Sequence, residues 1–175
     1  MDLKLQAALA ALQFVQSGMR LGLGTGSTTR LFIQALGERC QAGAFTGLRC
    51  VPTSQETALQ AQSLGLEVVS LASLGTHGSP PVLDLAVDGA DEVDPRLNLI
   101  KGLGKAALRE KMVEMHARQL VIIVDENKLV NRLGRGPLPV EIVPFEAEMT
   151  VAWLGTLATR ADLWRDPEGQ PVHTD

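Results

Sequence analysis

Residues 82–111 read VLDLAVDGADEVDPRLNLIKGLGKAALREK, and they say the most about the architecture of this chain. The stretch opens with a short, mostly apolar run, residues 82–87, of the kind that forms a strand buried between helices. Asp88 and Asp91 follow at once, and in open α/β sheets ligands bind just past the carboxyl ends of the strands. A helical pattern begins after residue 104. The stretch therefore predicts one β/α unit with polar groups at its ligand-binding edge.

The same stretch gathers charged side chains around glycines. They are Asp88, Asp91, Lys101 and Glu110, with Gly102 and Gly104 placed where the backbone can approach a ligand closely. Acidic residues after a strand are, however, often turn formers. Glu110 also lies off the apolar stripe of Leu108, Met112 and Met115 on the predicted helix. On spacing alone, an active site and a solvated helix face are equally good interpretations.

Short strand-like runs alternate with helical patterns along the chain. The runs are residues 20–24, 48–51, 66–71, 82–87 and 120–124. Residues 3–15 precede them and predict a packed helix that ends at Ser17 and Gly18. Such alternation is typical of an α/β fold, a Rossmann-like parallel sheet flanked by helices.

Residues 134–139, with two glycines and two prolines, predict a domain boundary. We expect residues 1–133 to form a Rossmann-like catalytic domain and residues 134–175 to begin a smaller α+β domain. In the second part, residues 140–143 predict a strand and residues 146–158 a helix. Residues 75–81 predict a further loop.

Composition excludes several classes of protein. With 175 residues, 45% of them hydrophobic, the chain can bury a core. A net charge of −4, a pI near 5.4, 3% aromatic residues and no Tyr argue against a nucleic-acid surface. The longest apolar run, residues 7–12, is too short for a signal peptide or a membrane span. We therefore expect a cytoplasmic protein without nucleic-acid or membrane partners.

The potential metal ligands are not spaced as a metal site. Cys40 and Cys50 predict two buried thiols, and His77, His116 and His173 are expected at the surface. The acidic residues 88–94 are the one place where a hard cation could bind.

Residues 21–28, LGLGTGST, lie between a predicted strand and a predicted helix. Converging backbone amides, the hydroxyls of Ser27 and Thr28 and a helix N-terminus together favour a phosphate group. Ser27 stands where the dinucleotide fingerprint needs a third glycine, and no Walker lysine follows, so nucleotides are disfavoured. An ordinary glycine-rich turn remains the alternative.

Two other loops carry weaker signals. Thr53 and Glu56 form a capping-box pattern, which needs no function beyond starting a helix. Asp125 and Lys128 follow the run 120–124 at the edge where a site should lie, although a surface turn with two solvated charges is the default interpretation.

Taken together, the segments DGADEVDPRLNLIKGLGKAALREK, GLGTGSTTR, VPTSQET, IVDENKLVNRLG and PLPVEIVPF closely resemble ribose-5-phosphate isomerases of the A type, in the same order and at similar spacing. The resemblance covers essentially the whole chain. It implies the interconversion of ribose 5-phosphate and ribulose 5-phosphate in the non-oxidative branch of the pentose phosphate pathway. It further implies that no metal or organic cofactor takes part and that the protein is a homodimer.

The resemblance also implies roles for individual residues. Glu110 matches the family's catalytic base, and Asp88, Asp91 and Lys101 match the acids and the lysine around the sugar. The implied substrate-binding residues are Lys4, Gly24, Thr25, Gly26, Ser27, Thr28, Gly89, Ala90, Gly102, Gly104 and Lys128.

Two features of the chain depart from the family pattern. Leu103 and Lys105 stand where small residues are common, so we expect a different shape and charge in this loop. The family also continues beyond Asp175 with further strands and a last helix, so we expect this sequence to be truncated within the smaller domain.

The implied chemistry explains why these residue types occur together. Aldose–ketose isomerisation moves a proton between C2 and C1 through an enediol, which requires one carboxylate such as Glu110. Lys101 can stabilise the developing oxyanion, while Asp88 and Asp91 can hold hydroxyls and assist ring opening. Neighbouring carboxylates repel one another, so at least one pKa should rise towards neutral pH.

Two rival functions remain on the same fold. A non-catalytic sugar-phosphate sensor would usually carry a DNA-binding helix-turn-helix, for which the N-terminus has neither room nor a basic helix. A CoA-transferase-like enzyme would need a covalent carboxylate and a nucleotide-sized site.

Overall fold

The structure, a computed structural model, describes residues 2–75 and 82–175. In chain order the strands are β1 (Arg20–Leu23), β2 (Arg49–Pro52), β3 (Glu67–Val68), β4 (Leu85–Asp88), β5 (Glu92–Val93), β6 (Leu99–Ile100) and β7 (Leu120–Ile122). A parallel sheet with the order β3-β2-β1-β4-β7 forms the centre, and β5 pairs with β6 in an antiparallel ribbon. The predicted α/β class with a parallel sheet is confirmed.

Helices follow most strands of the parallel sheet. They are α1 (Leu3–Ala11), α2 (Ser27–Gln41), α3 (Gln55–Ser63), α4 (Leu71–Leu74), α5 (Ala107–Glu114) and α6 (Ala147–Leu157), with 3-10 turns at Leu12–Phe14 and Glu126–Lys128. None of the described helices is long and apolar enough to span a membrane.

The core lies where α1 and α2 cover the two central strands. Leu21 and Leu23 of β1 and Leu85 and Val87 of β4 are fully buried, together with Phe32 of α2. Burial of such side chains is the main stabilising term for a sheet of this kind. The short apolar runs of the sequence predicted these central strands.

The opposite side of β1 is adapted to α5. Gly22 has no side chain there, and a Cβ at this position would come within 2.6 Å of Val113 Cγ1 on α5. Helix α5 therefore packs directly on the backbone of β1. This contact fixes the helix that carries Glu110 beside the carboxyl ends of β1 and β4.

Several predicted details are wrong. The run 66–71 forms only the two-residue edge strand β3, and α4 begins at Leu71. Residues 140–143 form no strand: Val140 and Val143 lie exposed between two prolines, and no described residue pairs with them. The cap of α3 is Ser54, whose side chain accepts a hydrogen bond from the Thr57 amide, rather than Thr53.

The predictions about a further loop, the histidines and the cysteines have different outcomes. The predicted loop 75–81 lies outside the described residues except for residue 75, and His77 lies outside them. His116 is half-buried and His173 is exposed, as expected of surface histidines. Cys50 is buried as predicted, whereas Cys40 is only half-buried, and neither forms a disulfide.

Residues 134–175 contribute no strand to the parallel sheet and contain α6. They contact the rest of the chain through polar groups. The amides of Gly134 and Gly136 donate to the buried Glu92 carboxylate, and Glu141 Oε2 accepts from the Leu108 amide at the start of α5. This segment therefore holds the N-terminus of α5 in place.

Candidate active site

A cavity of about 290 Å³ opens at the carboxyl edge of the parallel sheet. It lies past the ends of β1, β4 and β7, where a ligand site is expected in this fold. Its lining residues are Thr25, Gly26, Ser27, Thr28, Thr29, Gly89, Ala90, Asp91, Lys101, Gly102, Leu103, Gly104, Glu110, Ile123, Val124 and Lys128. Most of the residues predicted from the sequence thus meet around one space.

Three predicted site residues contact this lining without forming part of it. Lys4 Nζ donates a hydrogen bond to Ser27 Oγ at 3.0 Å, so the first helix reaches the glycine-rich loop. Gly24, the first residue of that loop, contacts Asp88, which lies behind the lining. Their roles in binding stay predictions.

The glycine-rich loop, residues 24–28, joins β1 to the N-terminus of α2. Gly26 is the residue before α2 and has a φ of +131°, a backbone conformation that side chains disfavour. Thr25 Oγ1 and Thr53 Oγ1 are 2.7 Å apart, which fastens the loop to the end of β2. The amides at the start of α2 and the half-buried Lys128 face the same cavity, an arrangement suited to an anion.

Asp88, the last residue of β4, holds this loop from below. One carboxylate oxygen, Oδ1, accepts hydrogen bonds from the Thr25 amide at 3.1 Å and from the Gly89 amide at 2.7 Å. The side chain is 1% exposed, so these bonds replace those that water would make. Asp88 therefore couples the shape of the loop to the acidic centre of the site.

Lys101 lies at that centre. Its Nζ is 3.2 Å from Asp88 Oδ2, 3.3 Å from Glu110 Oε2 and 3.1 Å from Glu114 Oε1, and it donates to the Gly89 carbonyl at 2.5 Å. Burial by itself would lower the pKa of Lys101, but the three carboxylates raise it above its usual value. The ammonium group is therefore firmly charged.

Glu110 is 3% exposed and lines the cavity. Burial, reinforced by the charge of Asp88, raises its pKa to about 7, although Lys101 opposes the rise. Leu108, Met112 and Met115, the apolar stripe of the same helix, are exposed instead. The interpretation of Glu110 as part of a solvated face is thus wrong, because α5 turns its acids inward.

The sequence analysis missed Glu114, the last residue of α5. It lies four residues after Glu110, a spacing that puts both side chains on one face of a helix. Its pKa is also raised to about 7, chiefly by burial. That spacing was the available signal, and it was obscured because the apolar stripe suggested the wrong inward face.

Thr29 is a second residue that the sequence analysis missed. Its hydroxyl oxygen is buried beside the cavity and has no hydrogen-bond partner among the described residues. It follows Thr28 in the first turn of α2, so extending the predicted phosphate-binding segment by one residue would have included it. The apolar Ile123 and Val124 complete that side of the cavity.

The two departures from the family pattern are accommodated in the loop before α5. The Leu103 amide donates to Asp91 Oδ2 at 3.0 Å, which fixes Asp91 at the cavity. Lys105, with φ of 63°, places its ammonium 5.4 Å from the centre of the Trp164 ring. The charge of Lys105 therefore does not line the cavity.

The loop after β7 differs from its default interpretation. Asp125 is buried, and its side chain accepts from the Asn127 amide, so it organises the turn that carries Lys128. Lys128 itself faces the cavity. The pair is therefore not a solvated surface turn.

A Rossmann-like α/β domain whose cavity combines a glycine-rich loop at a helix N-terminus with a buried carboxyl group and a lysine is typical of proteins that perform acid–base chemistry on a small anionic molecule. Comparison with known proteins identifies the family within this class. Residues 49–175 match the family described as ribose 5-phosphate isomerase A (phosphoriboisomerase A). The chain belongs to this family.

Individual relatives agree over nearly the whole chain. Proteins named ribose-5-phosphate isomerase A are 45% identical in Deinococcus radiodurans and 49% identical in Synechococcus sp., each over 99% of this chain and 74% of the relative. A solved D-ribose-5-phosphate isomerase in complex with phospho-erythronic acid is 39% identical, with a TM-score of 0.91 over 100% of this chain and 76% of that one. The chain thus spans about three quarters of the length of these proteins.

Proposed function

We propose that this isomerase interconverts ribose 5-phosphate and ribulose 5-phosphate through an enediol, as part of the pentose phosphate pathway. The observation that carries the proposal is the placement of Glu110, a buried carboxylate with a pKa near neutral, at the wall of a cavity whose other end is an anion-binding loop. The names of the relatives supply the substrate.

Glu110 is the proton-transfer base in this proposal. Its carboxylate removes the C2 proton of the open-chain aldose, the electron pair forms the C1–C2 double bond, and the C1 carbonyl oxygen becomes an oxyanion. The same carboxyl then returns the proton to C1 after the hydroxyl proton of O2 has moved to O1. A group with a pKa near 7 suits both directions, because it can accept and release a proton at neutral pH.

Lys101 is the group that stabilises the oxyanion. Its ammonium lies 3.3 Å from Glu110 Oε2, so both can reach neighbouring atoms of one substrate. A positioned charge is worth far more in a closed site than in water, because it needs no reorganisation as the reaction proceeds.

The phosphate group occupies the end of the cavity formed by residues 24–28. The amides at the start of α2, the hydroxyls of Ser27 and Thr28 and the ammonium of Lys128 converge there, with Lys4 supporting Ser27. Binding energy at this end orients the reacting carbons near Glu110.

Asp91 contributes to the site directly, and Asp88 contributes through its neighbours. Asp91 lines the cavity next to Lys101 and is placed to hold a sugar hydroxyl and to assist ring opening. Asp88 Oδ1 is already engaged by the Thr25 and Gly89 amides, so its contribution passes mainly through Lys101 and the loop. Gly89, Ala90, Gly102 and Gly104 bring the backbone close to the sugar.

Further properties of the protein belong to the same proposal. The reaction needs no organic cofactor or metal, the protein acts in the cytoplasm, and it assembles as a homodimer. Residues 134–175 belong to a smaller domain, which is supported by their lack of any strand in the parallel sheet.

Proton exchange with solvent tests the proposed reaction. Ribose 5-phosphate incubated with the protein in heavy water should acquire deuterium at C1 of the ketose and at C2 of the recovered aldose, measured by NMR. Isomerisation without label would favour hydride transfer or a fully shielded base. Binding of the sugar phosphate without any isomerisation would favour a sensor.

Glu110→Gln is the matched variant for this test. It should lower turnover by about two orders of magnitude or more, as expected for loss of a general base, and should abolish the labelling. Affinity for phospho-erythronic acid, measured by calorimetry, should stay within about tenfold of the original because the phosphate end is unchanged. Near-normal turnover in this variant would remove Glu110 from its role.

A further inference from the structure

More oxygen atoms surround the Lys101 ammonium group than it has hydrogens to donate. Its ammonium carries three hydrogens, yet four oxygens surround it, from Gly89, Asp88, Glu110 and Glu114. Of these carboxylates only Glu110 lines the cavity. The position of the Lys101 ammonium group therefore depends on competition between Glu110, which lines the cavity, and the carboxylates that do not.

Glu114 contacts Lys101 without lining the cavity. Its Oε1 is 3.1 Å from Lys101 Nζ, the shortest of the three carboxylate contacts, and its side chain is 11% exposed. The Oε1 atom is buried, as are Asp88 Oδ2 and Glu110 Oε2, and Lys101 is the charge that compensates it. A carboxylate in such a place requires a partner of opposite charge to be tolerated.

We propose that Glu114 is a positioning residue, which draws the Lys101 ammonium away from Glu110 and so keeps Glu110 basic enough to take a proton. Its catalytic consequence rests on the proposed function, whereas its effect on Lys101 and Glu110 does not. Without Glu114, the lysine charge would be shared by Asp88 and Glu110 alone. Glu110 would then be a more stabilised anion and a weaker base.

The groups that face Glu114 come from three elements and act in opposite directions, because Lys101 stabilises its charged form whereas burial and Asp88 oppose it. Asp88 reaches it from the end of β4, Lys101 from the loop after β6, and Glu110 from the preceding turn of α5. Asp91, which also lines the cavity, raises the pKa of Glu110. Removing the Glu114 charge removes repulsion from this group of acids and frees Lys101, and both changes lower the pKa of Glu110.

The test that needs no turnover is a carboxyl carbon-13 NMR titration of the substrate-free protein. Glu114→Gln keeps the size and an acceptor oxygen but removes the charge, and the Glu110 signal is assigned with Glu110→Gln. The midpoint for Glu110 should fall by about half a unit or more in Glu114→Gln. The control Glu148→Gln, an exposed site on α6, should leave it unchanged. An unchanged midpoint in Glu114→Gln would overturn the proposal.

Kinetics test the consequence for the reaction. Glu114→Ala should lower kcat about tenfold while KM stays within about threefold, because the phosphate end is untouched. The acidic limb of kcat/KM should move to lower pH in both variants, and Glu114→Gln should recover part of kcat by restoring an acceptor for Lys101. An unchanged pH profile would show that Glu114 has only a structural role.

Folding and the proposed function are separated by two controls. Melting temperatures show whether Glu114→Ala is folded, and if it is not, Glu114→Gln alone decides. If the original protein does not isomerise ribose 5-phosphate, the proposed function fails, but the Glu110 midpoint still confirms or refutes the effect of Glu114.

Discussion

The carboxylate of Asp88 fills the space beside Gly24 that a side chain at position 24 would need. The Gly24 amide also donates to the Val87 carbonyl at 2.9 Å, so the loop starts in contact with β4. Close approach of backbone to a buried acid is possible only for glycine. Gly24 thus connects the glycine-rich loop to the acidic centre.

Gly24→Ala should damage the site from this position. The added methyl group displaces Asp88, which loses its bond to the Thr25 amide and its alignment with Lys101. We expect about 1–3 kcal/mol lower stability from overpacking and a loss of activity of about tenfold or more. Urea unfolding and a coupled isomerase assay measure the two effects. Gly155→Ala, in open space on α6, is the control: it should leave activity unchanged and should not lower stability, because alanine favours a helix over glycine.

The raised pKa of Glu110 predicts how the stability of the folded protein depends on pH. Its ordinary pKa is 4.5 and the folded protein raises it to about 7, so ionisation costs roughly 3 kcal/mol in the folded state. The cost is absent below about pH 4.5, grows as pH rises, and is complete above about pH 7. Glu110→Gln, which cannot ionise, should therefore gain stability relative to the original protein at pH 8 but little at pH 5. Melting curves at the two pH values check this, and an equal difference at both would contradict it.

Glu92 gives a third prediction, about residues 134–136. Its buried carboxylate accepts from the amides of Gly134, Arg135 and Gly136 at 2.7, 3.3 and 3.0 Å. Burial would raise the pKa of Glu92, but these bonds outweigh it and hold the pKa below its usual value. Glu92→Gln replaces one acceptor oxygen with an amino group, so hydrogen exchange at Gly136 should become faster and the melting temperature should fall. Unchanged exchange would mean that other contacts hold the loop.

Metal removal is the fourth prediction. Asp88, Glu110 and Glu114 form the group of acids in the described residues that is close enough to share a cation, with ligand atoms within 4.8 Å of one another. Lys101 already places its positive charge among them. Dialysis against EDTA should therefore leave isomerisation unchanged, with a magnesium-dependent enzyme as the assay control. Activity lost on dialysis and restored by magnesium would refute this.

The central part of the fold could be predicted because its strands are short apolar runs buried on both faces. Residues 20–24 and 82–87 correspond to β1 and β4, in the middle of the sheet. Edge elements were harder, since β3 has only one neighbour and keeps two residues of a six-residue run. Residues 140–143 carry the same kind of side chains as a strand, but nothing in the described chain pairs with them.

Most of the residues predicted for the site line one cavity, but Glu114, Thr29 and the arrangement around Lys101 could not be predicted. Patterns of polarity assume that a helix turns its apolar side inward. Helix α5 contradicts this because Lys101 supplies the charge that makes burial of Glu110 and Glu114 possible, and that lysine lies on another element. The pattern of the helix alone therefore does not show which of its faces is buried.

Asp88 touches the Thr25 amide with one oxygen and approaches the Lys101 ammonium with the other, so both ends of the cavity share one side chain. A sugar that fills one end only would order only half of this network. Plain ribose has the reacting carbons of ribose 5-phosphate, yet it would leave the loop without its anion and Asp88 less firmly placed. The enzyme would therefore discriminate against unphosphorylated sugars largely in turnover, with the phosphate acting as an activator of chemistry that occurs at the opposite end of the molecule.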